Sequence, residues 1–168
     1  QYRDGRTFTG SWGQYNQHPQ PVGQSTDPVY GNPDLPLTTA THATFGHEWE
    51  FDDRTTLKVE AYYNTQENIP TPTDSLDLNF VPDTDARMYG LEFMLRYQPS
   101  DGFFGWLSYS VGRAERRYER RPDPELEDFD PDQWYLYGLD QTHHVEAVGS
   151  WQLGNGWSFG SRVQYVSG

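Results

Sequence analysis

The sequence predicts an all-β fold: an antiparallel up-and-down transmembrane β-barrel segment, about seven strands of a larger barrel, with long outer loops and short periplasmic turns. Three observations predict it. Runs of ten to twelve residues alternate between apolar and polar, as a strand with two unlike faces does. The connections between them run long, short, long, short, long, short, the pattern of an outer-membrane barrel with short turns on one rim. Tyrosines and tryptophans collect near strand ends, where interfacial girdles form.

Composition narrows the class. The 168 residues suggest one domain. Mean hydropathy is −0.91 and 34% of residues are hydrophobic, yet 16% are aromatic. A soluble core would draw on leucine, isoleucine and valine; here Ile69 is the single isoleucine, beside twelve tyrosines and six tryptophans. A disordered chain is poor in aromatics. Thinly spread apolar residues on alternate strand positions, joined by long polar loops, fit both numbers. A net charge of −13 argues against a nucleic-acid partner, which needs clustered Lys and Arg. The absence of cysteine removes disulfides, thiolate catalysis and cysteine metal sites. No apolar run approaches the roughly 20 residues of a membrane helix, which leaves a barrel untouched. With no initiator Met and no signal peptide at Gln1, the start has been processed or the chain is a piece of a longer one.

In chain order, residues 5–17 form a weakly alternating first strand, followed by a loop over 18–38 that carries five prolines. Residues 41–51 set Ala43, Phe45, His47, Trp49 and Phe51 against His42, Thr44, Glu48 and Glu50. After a turn at 52–54, residues 55–66 set Leu57, Val59, Ala61 and Tyr63 against Lys58, Glu60, Tyr62 and Asn64. A long acidic connection over 67–86 precedes the sharpest alternation, residues 87–98. There Tyr89, Leu91, Phe93, Leu95 and Tyr97 oppose Met88, Glu92, Met94 and Arg96. A short turn at 99–103 leads to a strand over 104–115, and the longest loop spans 116–139. The chain closes with a hairpin over 141–168, whose Asn155-Gly156 turn tolerates the positive φ that a tight hairpin needs. Trp151 and Trp157 flank that turn. The last strand, 157–167, leaves an unpaired edge that reads as a sign of incompleteness.

Alternation alone does not say whether the apolar face meets lipid or a protein core. A soluble β-sandwich carbohydrate-binding module and a small independent outer-membrane barrel of eight strands are the alternatives. Loop asymmetry, tyrosine-rich strand ends and the scarcity of isoleucine favour a membrane barrel.

Several motifs, in order, carry a resemblance. They are Gly13-Gln14-Tyr15 with Gln17-His18-Pro19-Gln20-Pro21, then Asn32-Pro33-Asp34-Leu35, then Tyr89-Gly90-Leu91-Glu92. Gly105-Trp106-Leu107-Ser108-Tyr109-Ser110 follows, and Asp140-Gln141-Thr142-His143-His144 leads through Gly156-Trp157 to Tyr165-Val166-Ser167-Gly168. Together they resemble the C-terminal part of the barrel of TonB-dependent outer-membrane receptors. Pro36-Leu37-Thr38 departs from the family's usual Lys-Pro-Glu. The resemblance implies a barrel of about 22 strands, plugged by an N-terminal domain, in the bacterial outer membrane. It implies import of a scarce nutrient such as siderophore-iron or cobalamin, powered by the TonB complex through an N-terminal region this sequence lacks. Residues 1–168 would then be a partial barrel domain without its plug.

Candidate chemistry is sparse. The carboxylates offer no motif for catalysis, and no nucleophile elbow, P-loop or zinc-protease spacing occurs, so no catalytic residue, cofactor or metal is expected. Adjacent His143 and His144 diverge on a strand, as do His42 and His47; His143 fits the outer interface, whereas His47 has no evident reason to sit on a lipid face. Glu48, Glu50, Glu60, Glu92, Arg96, Glu146 and Arg162 share the polar face, as in a water-filled lumen. The acidic stretch 123–132 reads as a solvated loop rather than a Ca²⁺ site, since EF-hand spacing is absent. Arg113, Arg116, Arg117, Arg120 and Arg121 would pair with those acids or with lipopolysaccharide phosphates. Trp134, Tyr135 and Tyr137, with Arg116 and Arg117, are the candidate ligand or loop contacts, and the aromatics serve equally well as an outer girdle. Expressed alone, the chain should aggregate without detergent. A monodisperse, cooperatively unfolding soluble protein would overturn the membrane reading.

Overall fold

The computed structural model describes residues 5–19, 26–29, 31–73, 80–100, 102–121 and 128–167. They form β1 (Gly5–Gln17), β2 (Thr38–Glu50), β3 (Thr55–Pro72), β4 (Phe80–Ser100), β5 (Phe103–Tyr118), β6 (Tyr135–Leu136), β7 (His143–Gly154) and β8 (Trp157–Val166). All belong to one antiparallel sheet in the order β1-β2-β3-β4-β5-β7-β8, with the short β6 also on β5. Each long strand pairs with its neighbour along the chain, so the fold is up-and-down. The sheet is open, with β1 and β8 at opposite ends.

The register keeps the two faces in phase from end to end. One cross-sheet row reads Phe8, His47, Val59, Phe93, Tyr109, Val145, Tyr165. The next reads Thr7, Glu48, Lys58, Met94, Ser108, Glu146, Gln164. The first row lies on the apolar face and the second on the polar one. Among the described residues nothing covers the apolar face: Phe8, Phe45, Leu95, Leu107 and Val163 are all exposed, and Ala86 is the one buried apolar residue. A β-sandwich would bury such a face against a second sheet, so the single layer does not fit that alternative.

Several strands run further than their alternation predicts. Residues 67–72 and 80–86, expected as loop, are the outer halves of β3 and β4, while 116–118 and 135–136, also expected as loop, belong to β5 and β6. Polarity alternates only while one face is dry; where both faces are wet, the backbone ladder continues without a sequence signature. Pro70 and Pro82 disguised this region further. Both fall where the β3–β4 register is irregular, close to Asn68 with its φ of 60°, and bulges are where a strand accepts proline. The loop before β2 docks on this extension. Buried Asn32 donates from Nδ2 to the Phe80 carbonyl at 3.0 Å and accepts from the Asp34 amide at 3.0 Å. Its presence in the Asn32-Pro33-Asp34-Leu35 motif thus has a local structural cause.

The short turns are built as their residues dictate. Gly154, Asn155 and Gly156 have φ of 82°, 53° and 80°, so the positive-φ stretch starts one residue before the expected pair. In the β2–β3 turn, Asp52 Oδ1 accepts from the amides of Arg54 and Thr55, both at 2.8 Å. The Arg54 amide is the main reason that the Asp52 carboxyl lies below its ordinary value. Its contribution is therefore present above the unfolded value near 3.8 and lost as pH falls through the lowered folded one.

On the polar face, Gly90 and Gly112 stand directly opposite each other beneath the Tyr62 hydroxyl. A Cβ on Gly90 would lie 2.7 Å from that oxygen, and one on Gly112 would collide with it. Gly112→Ala is expected to cost about 1–3 kcal/mol, read as a lower urea midpoint of the detergent-solubilised protein. The loss should shrink in a Tyr62→Ala background; strictly additive losses would contradict the contact.

Candidate functional site

The outer extension of β4 and β5 carries different chemistry on its two faces. On the face continuous with the apolar side, Arg87 Nε donates to Glu115 Oε2 at 2.7 Å, and Arg113 Nε lies 3.8 Å from the other carboxylate oxygen. One step further out, Arg117 Nη2 meets Asp85 Oδ2 at 2.7 Å, and beyond it Arg120 Nε meets Asp83 Oδ2 at 2.9 Å. Trp134 lies on this ladder, its ring centroid 4.3 Å from the Arg87 guanidinium and 5.3 Å from that of Arg117. Exposed ion pairs contribute about 0–1 kcal/mol each. Glu115 is buried, so removing its carboxylate, which leaves the half-buried Arg87 without its acid, costs more than breaking an exposed pair.

The opposite face holds a cluster of rings. Pairing of β6 with β5 sets Tyr135 opposite Arg116 and Leu136 opposite Glu115. Side chains alternate, so Tyr135 and Tyr137 share the polar face with Arg116. The Arg116 guanidinium sits 4.1 Å from the Tyr137 centroid. The Tyr135 ring stacks at 6.0 Å on Phe129 and lies 6.3 Å from Tyr118. Its hydroxyl accepts from the Asp130 amide at 2.7 Å and donates to the Asp130 carbonyl at 3.1 Å. Where β6 ends before β7 begins, Asp140 fills the gap in the ladder. Its Oδ1 accepts from the Ala114 amide at 2.7 Å, and its Oδ2 accepts from Thr142 Oγ1 at 2.8 Å.

The five candidate residues therefore divide. Arg116, Tyr135 and Tyr137 meet on the polar face, while Arg117 and Trp134 stand on the other. The arginines were expected to pair with acids of 123–132 or with lipopolysaccharide phosphates. Among the described residues, Arg113, Arg117 and Arg120 take Glu115, Asp85 and Asp83, acids close by on β4 and β5. Residues 123–127 of the acidic stretch lie outside the described residues. Parity holds the missed signal: Asp85, Arg87, Glu115 and Arg117 all continue the odd-numbered face, which the loops expected over 67–86 and 116–139 concealed at Asp85 and Arg117.

Toward the short turns, the apolar face is ringed by aromatics. Tyr97–Phe103, Phe103–Trp151 and Trp151–Phe159 follow one another at 5.6, 5.1 and 5.7 Å. Near the long connections, Tyr63–Tyr89 at 6.2 Å and Tyr109–His143 at 6.1 Å mark a second belt. Leu57, Leu95, Leu107, Ala147 and Val163 form an aliphatic row between them. A family model described as TonB dependent receptor-like, beta-barrel, matches residues 1–168. The chain belongs to the TonB-dependent receptor family. A search of curated proteins returns no match. The family comprises TonB-linked transport receptors of the bacterial outer membrane, which are transporters rather than enzymes.

In a TonB-dependent receptor barrel the apolar face meets lipid, the short turns are periplasmic and the long connections lie outside. His47, unexplained on that lipid face, stacks on Phe8 at 4.4 Å with planes 9° apart, so it serves there as an aromatic ring. His143 Nδ1 lies 3.0 Å from the Tyr109 hydroxyl, in the outer belt. Across the polar face, Lys58 pairs with Glu60 at 2.9 Å, and Arg162 pairs with Glu146. Among the described residues no group of three or more His, Asp or Glu could hold a metal ion.

Trp134→Ala removes the clamp between the outer ladder and the β6 segment. Limited proteolysis of the folded receptor should then cut residues 128–142 several-fold faster while the barrel keeps its heat-modified gel mobility. An unchanged cutting rate would exclude the clamp.

Proposed function

We propose that this chain is part of a receptor that imports a scarce nutrient, siderophore-iron, cobalamin or a compound of that kind, with energy from the TonB complex. Residues 1–168 form a partial barrel domain in this reading, and contact with TonB is made through another region of the receptor. The open sheet, with β1 and β8 at opposite ends, supports a larger barrel over a closed eight-stranded one. The ligand contacts are Arg116, Tyr135 and Tyr137; Trp134 and Arg117 hold the loop that carries them. Lipid and lipopolysaccharide are the partners of the outward face.

One observation carries the assignment of contacts. Arg113, Arg117 and Arg120 each have a carboxylate within 4 Å. Arg116, among the described residues, has the Tyr137 ring and no acid. A guanidinium stacked on a ring keeps its charge and most of its hydrogen-bond donors for a ligand, and the neighbouring Tyr118, Tyr135 and Phe129 offer flat surfaces. In the receptor carrying this chain, Arg116→Ala and Tyr135→Ala should each reduce uptake about tenfold at equal surface level, the loss of one charged hydrogen bond or stacking contact. Uptake would be measured with radiolabelled cobalamin and a panel of ferric siderophores. Unchanged uptake of a transported compound in the double variant would remove these residues from the ligand path.

A further inference from the structure

At the outer edge of the apolar band, Tyr89, Leu91, Val111 and Arg113 frame an open groove of about 380 Å³, completed by Gly90, Gly112 and Thr142. The register sets Tyr89 opposite Arg113 and Leu91 opposite Val111, all on the face that meets lipid. The inner half of the groove is aliphatic, Leu91 and Val111, and the next rows along the strands are the apolar pairs Phe93–Tyr109 and Leu95–Leu107. The outer half presents a cation at the level of the tyrosine belt.

Among the described residues that cation is incompletely neutralised. The Arg113 side chain is 56% exposed and lies 3.8 Å from one oxygen of Glu115, whose other oxygen takes Arg87 at 2.7 Å. Two guanidiniums therefore share one carboxylate, on a chain whose net charge is −13. Arg117 and Asp85 balance each other one step further out, so the excess positive charge sits at the groove. Guanidinium binds phosphate oxygens as a fork, and the apolar side chains of Leu91 and Val111 beneath it suit an acyl chain.

We propose that this groove binds a phosphate-bearing lipid of the outer leaflet, with its phosphate on Arg113 and an acyl chain along Leu91 and Val111. A free phosphate would use only the outer half of the groove, and a neutral lipid only the inner half. The proposal assigns a place to the lipid contact proposed above and rests on the same orientation, with the long connections outside.

The test is native mass spectrometry of the detergent-purified receptor carrying this chain, titrated with diphosphoryl lipid A. Wild type should retain the lipid adduct. Arg113→Ala should weaken it about tenfold, whereas Arg96→Ala, on the polar face, should leave it unchanged. Dephosphorylated lipid A should bind wild type no better than the phosphorylated form binds Arg113→Ala, and inorganic phosphate should neither remain bound nor displace the lipid. A wild-type adduct in the Arg113 variant, an equal loss in Arg96→Ala, or retention of inorganic phosphate alone each overturns the proposal. Heat-modified gel mobility reports folding, and Arg113→Gln gives the same reading if the alanine variant does not fold. Single-cysteine labelling at Asp130 from outside the cell separates the two claims. No labelling sinks the orientation and the lipid site together, and labelling without an adduct sinks the lipid site alone.

Discussion

Inside a bilayer no water is available to a peptide group, so every N–H and C=O that crosses must find its partner in the protein. A continuous antiparallel ladder meets that demand, and once it is in place the side chains have two faces to occupy. The row from Phe8 through Val59 and Tyr109 to Tyr165, and the neighbouring row from Thr7 through Lys58 and Ser108 to Gln164, show the consequence. A slip of one residue in any strand would exchange its members between these rows, carrying Lys58 or Glu146 into lipid. Register and polarity are thus one constraint across all seven long strands. It also explains why a chain of low mean hydropathy tolerates membrane: only alternate residues need be apolar.

Beyond the outer tyrosine belt the constraint relaxes without disappearing. β3 and β4 keep pairing as far as Pro72 and Phe80, but the odd positions of β4 change from leucine and phenylalanine to aspartate and arginine. Ion pairs between β4 and β5 take the place of lipid contact there. Bulges around Asn68 and Ile69 appear where prolines interrupt the donors. Asn32 then ties the preceding loop to the start of β4. The rim is in this way an extension of the sheet rather than a set of free loops, and residues on it have defined faces.

This boundary also marks how far the sequence could be read. Within the membrane band, Tyr89 to Tyr97 and Val145 to Leu153 alternate so regularly that strand, face and turn follow from the residues. His47 looked out of place because its type suggests polarity, whereas its environment uses its ring. Above the band the information lies in pairing between distant segments. Asp85 with Arg117, or Tyr135 with Arg116, involves residues 32 and 19 apart whose partnership depends on register. Two residues of β6 are too few for any periodicity. The types of residue at the candidate site were therefore legible, and their division between faces was not.

That division gives Arg116 and Arg117 different work despite their adjacency. Successive residues of β5 point to opposite sides, so Arg117 joins Asp85 in the outer ladder while Arg116 faces the lumen. The β6 segment repeats the same alternation in register. Trp134 lands on the outer ladder between Arg87 and Arg117, and Tyr135 and Tyr137 land beside Arg116. A two-residue strand has few hydrogen bonds with which to hold its position. The indole on one face, with Asp140 bridging to the Ala114 amide, supplies what the ladder lacks. The position of the inward rings is in this sense set from outside: the contacts proposed for the ligand depend on a cation–π clamp on the opposite face of the sheet.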